Sequence, residues 1–221
     1  MKTKEASEKF KKGFKKFWFL LWEDNSFKGW LFSIIFLFVF IKFIFFPTLN
    51  FVTGTSLPLA IVESCSMYHQ DNVFSNFDSW FVRHEGKYSN LNISKEEFKN
   101  FVLKKGFSKG DIVFIIKANP EKLKIGDIIA FSSGTKGTPV IHRIVKISEK
   151  NGEKIFTTMG DNNAQILVPS NNLAKIDERE ITEDQLVGKA VTRLVPWLGW
   201  GKLIFFEGFR VESERGFCQE N

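Results

Sequence analysis

Hydrophobic positions along this chain follow two rhythms that change over near residue 50. Residues 30–46, WLFSIIFLFVFIKFIFF, are apolar on every side, broken only by Ser33 and Lys42. At about 1.5 Å of rise per residue, the run predicts a helix of roughly 25 Å, near the lower limit for crossing a bilayer core. Lys42 falls near the outer end of that span, where its stem can carry the charge to the headgroups. Upstream, Phe10, Phe14, Phe17, Trp18 and Leu21 recur near helical spacing with lysines between them. Such a stretch predicts an amphipathic helix lying on an anionic leaflet.

Beyond the span the pattern shortens. Residues 57–62, 111–117, 127–132, 139–148, 154–159 and 185–195 are rich in Ile, Val, Phe and Thr, with Gly or Asn at their edges. These are the marks of strands, and they predict a mainly β, antiparallel domain. Between the first two runs, at about 71–109, Phe74, Phe77, Trp80 and Phe81 have helical spacing. Ser94-Lys95-Glu96-Glu97 then forms a capping box for a second helix ending near Gly106. The chain therefore divides into a basic amphipathic segment (1–28), a membrane anchor (29–46) and an outer domain (47–221) with a helical insertion. Residues 194–209, LVPWLGWGKLIFFEGF, are interrupted by Pro196, Gly199, Gly201 and Lys202. They make a poor second span and are expected to end the core, in preference to touching the membrane surface, where Trp and Tyr side chains favour the interface.

Charge gives the anchor a direction. The formal net charge is +6, but Lys2, Lys4, Lys9, Lys11, Lys12, Lys15, Lys16 and Lys28 all precede the span, whereas residues 48–71 contain no Lys or Arg. The bias predicts a cytoplasmic N-terminus and an extracytoplasmic outer domain at the cell membrane, and it argues against a nucleic-acid groove. A retained anchor is expected, since a cleaved leader has a shorter apolar core. The two cysteines, Cys65 and Cys218, lie far apart, so no disulfide framework follows and the redox compartment stays open. Cys65 reads as a small buried residue.

Asn151-Gly152 is the preferred pair for a two-residue type I′ hairpin turn, and β runs flank it on both sides. Lys150 then faces Glu153, Ile147 faces Phe156 and Val145 faces Thr158. Continued without a bulge, the same register puts His142 opposite Asp161, with β-carbons about 5 Å apart. A carboxylate beside an imidazole orients the ring and stabilises its cation, which is what a serine nucleophile requires of its general base. His69, beside a turn, reads as a structural residue in preference to a rival base or metal ligand.

Ser64-Cys65-Ser66-Met67, Gly126-Asp127-Ile128-Ile129-Ala130-Phe131, His142-Arg143-Ile144-Val145 and Gly160-Asp161-Asn162-Asn163 resemble, in this order, the successive boxes of type I signal peptidase. Histidine in place of the bacterial lysine resembles the archaeal and endoplasmic-reticulum branch. Leu186-Val187-Gly188-Lys189-Ala190 and Pro196-Trp197-Leu198-Gly199 resemble the family's ending.

The resemblance implies that Ser66 is the nucleophile, His142 the general base and Asp161 the acid that orients it, with the Ser66 N–H and the Ser64 hydroxyl as oxyanion donors. It implies secretory preproteins as substrates, cut after small residues near the outer membrane surface, and no cofactor or metal. Oligomeric state stays open. The chain departs from the family pattern at Cys65, where glycine is usual, at His69, where proline is usual, and at the uncharged Ala164-Gln165-Ile166-Leu167, where a second acid often stands. Asp177 or Glu178 is therefore an alternative third member of the triad. A catalytically silent anchored β domain that binds preproteins or partners is the competing reading.

Overall fold

The computed structural model describes residues 2–70, 77–134, 137–172, 175–210, 212 and 215–219. They form two compact units, Met1–Val52 and Thr53–Asn221.

The first unit is a helical hairpin. Helix α1 (Lys2–Trp22) turns at Asp24 into α2 (Phe27–Thr53). The turn is held by Ser26, whose N–H donates to Asp24 Oδ1 at 2.9 Å and whose hydroxyl accepts the Gly29 N–H at 3.2 Å, an N-cap for α2. Gly29 is required there, because a Cβ would lie 2.3 Å from the Asp24 carbonyl. The Phe17 ring meets Phe32 and Phe36 edge-on, and the Ser33 hydroxyl donates to Leu21 O at 2.9 Å, so the end of α1 runs along α2. Phe10, Phe14, Trp18 and Trp22 are exposed on α1 at four-residue spacing.

Among the described residues, α2 is the helix long and apolar enough to cross a membrane. It differs from the expected span in passing straight through Pro47 to Thr53. The preceding turn, Ile41–Phe45, is π-helical, and the Phe46 N–H donates to Ile41 O. This wider turn relieves the clash and the missing donor that a proline brings to an α-helix. Lys42 consequently sits in mid-helix and not near its outer end, with Nζ 5.7 Å and 5.5 Å from the Phe38 and Phe43 ring centres.

The second unit is mainly β. Strands β1 (Leu59–Ile61), β2 (Ile112–Ile116), β3 (Ile128–Phe131), β4 (Val140–Lys150), β5 (Glu153–Met159) and β6 (Leu186–Val195) form one six-stranded sheet in the order β1-β2-β6-β3-β4-β5. Every pairing is antiparallel. All four residues of β3 are buried, as expected of a strand covered on both faces. Helices α3 (Phe77–Ser89) and α4 (Lys95–Phe98) occupy the insertion, the latter with both bonds of the Ser94/Glu97 capping box; Phe74 lies outside the described residues. Their Trp80, Phe81, Tyr88 and Phe98 bury against Val145 and Met159 of the β4–β5 hairpin.

That hairpin turns on Asn151 (φ 56°) and Gly152 (φ 83°), the double positive φ of a type I′ turn. From Lys150↔Glu153 to Ile147↔Phe156 the register is the ideal one. Between Ile144 and Lys146 it slips, so that Ile144, and not Val145, faces Thr158, and Arg143 faces Met159. A one-residue bulge exchanges the two faces of everything beyond it.

The apolar stretch after β6 does not close the core. Leu203 of α5 (Trp200–Leu203) is buried, but Trp197, Leu198, Ile204, Phe205, Phe206 and Phe209 are exposed. Pro196 and the glycines cut this segment into single turns, which can bury only one side.

Candidate active site

Ser66 lies in the irregular loop after β1, and its main chain is tied down on two sides. The Asn162 N–H donates to Ser66 O at 2.7 Å, and the Phe107 N–H donates to Met67 O at 3.0 Å. Gly160 permits the close approach of the two loops, since a Cβ there would meet Ser66 O at 2.7 Å. The Ser66 hydroxyl, partly exposed, stands 2.7 Å from His142 Nε2 and 3.1 Å from the Ser64 hydroxyl. Ser64, Ser66 and His142 are thus brought together, by β1 and β4.

The other ring nitrogen of His142, Nδ1, bonds to Glu178 Oε1. Glu178 is fully buried and satisfied: Thr158 Oγ1 donates to Oε1 at 2.8 Å, and the Leu167 N–H donates to Oε2 at 2.9 Å. The Thr158 N–H also donates to Glu178 O at 3.0 Å, so the returning loop lies beside β5. A carboxylate only accepts. Nδ1 therefore carries the imidazole proton, leaving the Nε2 lone pair for the Ser66 hydroxyl. Asp177, next in the chain, points away and pairs with Arg179 at 2.6 Å.

Asp161 does not meet His142 as the ideal register has it, because the bulge at Val145 turns it toward the neighbouring Arg143 instead. Arg143 grips both carboxylate oxygens, Nε to Oδ1 at 2.8 Å and Nη2 to Oδ2 at 2.6 Å. His69 Nε2 lies 2.9 Å from Oδ2, and the Tyr88 hydroxyl donates to Oδ1 at 3.1 Å. Burial alone would raise the Asp161 pKa; the charge and hydrogen bonds of Arg143, with His69, overcome it and hold the carboxyl well below the usual range. This network secures the loop that secures Ser66: from α3, Lys87 Nζ donates to the carbonyls of Asp161 and Asn163.

His69, stacked on Trp80 at 3.5 Å, is held below the ordinary imidazole pKa by burial, with Arg143 and His84 adding to the shift against the pull of Asp161. Unfolded, it protonates near about pH 6.5, so the unfolded state takes up the extra proton and stability falls as the pH drops below that value. Urea unfolding of the detergent-solubilised protein between about pH 7 and pH 5 is expected to show this slope. His69→Gln, which keeps a donor for Asp161, is expected to flatten it; an undiminished slope would exclude His69 as its source.

Cys65 is not a buried free thiol. It is joined to Cys218 across a sequence separation of 153 residues. Spacing could not reveal this pairing. Glu178 is more legible, an acid after a strand-flanking loop, but Asp177 beside it carries the same signal.

No family model matches the chain. Its similarity to curated proteins is nonetheless specific. It is 30% identical over 99 residues to Signal peptidase complex catalytic subunit SEC11C of Homo sapiens, covering 44% of this chain and 50% of that protein. It is 33% identical over 96 residues to Putative signal peptidase complex catalytic subunit SEC11B of Homo sapiens, 43% of this chain and 55% of that protein. With Signal peptidase complex catalytic subunit SEC11 of Eremothecium gossypii it shares 42% over 60 residues, 26% of this chain and 35% of that protein. The chain spans about half the length of the curated relatives it matches first. Over that part the sequence is similar to the SEC11 signal peptidase catalytic subunits, and the chain is mainly β with an N-terminal apolar helix.

Proposed function

We propose that this protein is a membrane-anchored serine endopeptidase that removes signal peptides from secretory preproteins, with Ser66, His142 and Glu178 as its triad. The observation that carries the reading is the Ser66 hydroxyl 2.7 Å from His142 Nε2, with a buried carboxylate on the far ring nitrogen. Ser66 Oγ attacks the scissile carbonyl carbon as its proton passes to Nε2. The resulting imidazolium is stabilised by Glu178 and then protonates the leaving amine. Water, activated by the same histidine, releases the acyl group. The Ser66 N–H and the Ser64 hydroxyl donate to the oxyanion, where loss of one donor costs about 3 kcal/mol of barrier. Asp161 holds the loop and takes no proton in this scheme.

The lysine-rich N-terminus lies in the cytoplasm and the sheet outside, so the site works at the membrane surface where a preprotein emerges. The exposed aromatics after β6 rest on the lipid interface, which favours Trp and other rings. Replacing Phe205 and Phe206 together with serine is expected to slow cleavage in vesicles several-fold and to leave cleavage in detergent unchanged; equal rates in vesicles would exclude that contact.

The deciding experiment is incubation of the detergent-solubilised full chain with a preprotein, alongside Ser66→Ala and His142→Ala. Wild type is expected to release the mature protein and both variants to fail. A wild type that cannot cut, or a Ser66→Ala that cuts equally well, would overturn the reading in favour of a silent binding domain.

A further inference from the structure

The far end of the chain returns to the nucleophile. Cys65, next to Ser66, is bonded to Cys218 with their α-carbons 5.3 Å apart. Asn162, whose N–H holds Ser66 O, uses its side-chain amide to donate to Cys65 O at 3.1 Å and to Gln219 O at 2.9 Å. One residue therefore clamps the nucleophile loop and the tail together. Farther back, the Gly216 N–H donates to Glu207 Oε2 at 2.8 Å, and the buried Lys109 bridges Glu207 Oε1 at 2.8 Å and Gly216 O at 3.3 Å. The Phe217 ring lies 5.0 Å from that of Trp200.

We propose that residues 215–219 form a strap whose disulfide positions Ser66, so that the rate of peptide cleavage depends on the redox state of Cys65–Cys218. The inference rests on Ser66 being the nucleophile. Three facts support it. The nucleophile loop has no regular structure of its own; hydrogen bonds from Asn162 and Phe107 hold its main chain on either side of Ser66, and the bond to Cys218 is its covalent tie. Residues 216–219 bond to Cys65, Asn162, Glu207 and Lys109, and Arg215 donates to the carbonyls of Gly208, Arg210 and Glu212, while the Ser66 hydroxyl is engaged by His142 and Ser64, so the strap holds the loop without occupying the reacting group. Cys65 and Cys218 are both partly exposed, and Phe217 and Gln219 on either side of Cys218 are open to solvent.

A small-molecule dithiol can therefore reach the bond. Its thiolate attacks one sulfur and breaks the S–S bond, giving a mixed disulfide and one protein thiolate. Its second thiol then displaces the other protein sulfur. The dithiol ends as a cyclic disulfide, having given two electrons and two protons to Cys65 and Cys218. With the tail released, a shift of about 1 Å in Ser66 is enough to cost about 100-fold in rate.

The test uses the detergent-solubilised full chain with three readouts: mass mapping of the Cys65–Cys218 peptide, hydrogen exchange at the Tyr68 and Asn162 amides, and preprotein cleavage. Dithiol is expected to lower kcat by about 10- to 100-fold with KM unchanged, and reoxidation to restore it. Cys218→Ser is expected to show the low kcat with or without dithiol. The two amides, bonded to Cys65 O and Ser66 O, are expected to exchange at least about tenfold faster once the bond is reduced. Wild-type kcat in Cys218→Ser, an equal response of both proteins to dithiol, or unchanged exchange on reduction would overturn the proposal. If Cys218→Ser does not fold, reversible reduction of wild type decides alone. A wild type that never cuts sinks the protease reading, whereas mapping and exchange still judge the strap.

Discussion

Replacing Ser66 with alanine is expected to lower kcat on a preprotein by about 10⁶-fold, and replacing Glu178 with glutamine by about 10⁴-fold, both with little change in KM. The serine loss removes the covalent route. The glutamine loss is subtler, because the side chain keeps its size. Glu178 accepts from His142 Nδ1, from Thr158 Oγ1 and from the Leu167 N–H. A carboxamide turned to offer its NH₂ toward Nδ1 selects the opposite tautomer, which points a proton from Nε2 at Ser66 and cannot accept one. Even a glutamine that presents its oxygen lacks the negative charge that stabilises the imidazolium. Asp177→Asn is expected to cleave at the wild-type rate, since Asp177 pairs with Arg179 at the surface. Single-turnover cleavage of the folded variants separates these outcomes. Should Glu178→Gln stay within about tenfold of wild type while a folded Asp161→Asn loses activity, Asp161 would return as the acid.

Arg143→Met is expected to destabilise the outer unit by about 3–5 kcal/mol, the cost of leaving a buried charge without its partner. Arg143 is fully buried. It donates to both oxygens of Asp161 and to the carbonyls of Gly126, Val102 and Leu103, and its guanidinium lies 4.8 Å from the Phe98 ring centre. Methionine fills much of the volume but returns none of those bonds. The Asp161 carboxylate would then keep His69 and Tyr88, neither of which is a permanent cation. Arg143→Lys is expected to fall short as well, because an ammonium cannot reproduce a planar fork. Denaturant midpoints check both, and the double variant Arg143→Met/Asp161→Leu is expected to recover part of the loss, since it leaves no orphaned charge. A cost below about 1 kcal/mol for Arg143→Met, or a double variant worse than the single, would show that the ion pair does not hold this loop.

What could be read from the sequence was local. A continuous apolar run marks a helix able to cross a membrane, and runs of β-branched and aromatic residues between turn residues mark an antiparallel sheet. Asn151-Gly152 alone specifies its turn, because both positions need positive φ and neither needs help from elsewhere in the chain. Even the register near the turn follows, from Lys150 to Ile147.

The tertiary structure decided everything that depended on a distant partner or on a single inserted residue. Aromatic side chains of the insertion pack on Val145 and Met159, the strand bulges between Ile144 and Lys146, and Asp161 meets Arg143 in place of His142. The carboxylate on His142 comes from Glu178, 36 residues away, and the bond beside Ser66 comes from Cys218. Side-chain period in a strand is two, so one extra residue exchanges its faces. Periodicity in the sequence locates a strand to within a residue or two, which is enough to recognise the sheet and too coarse to choose between two adjacent acids.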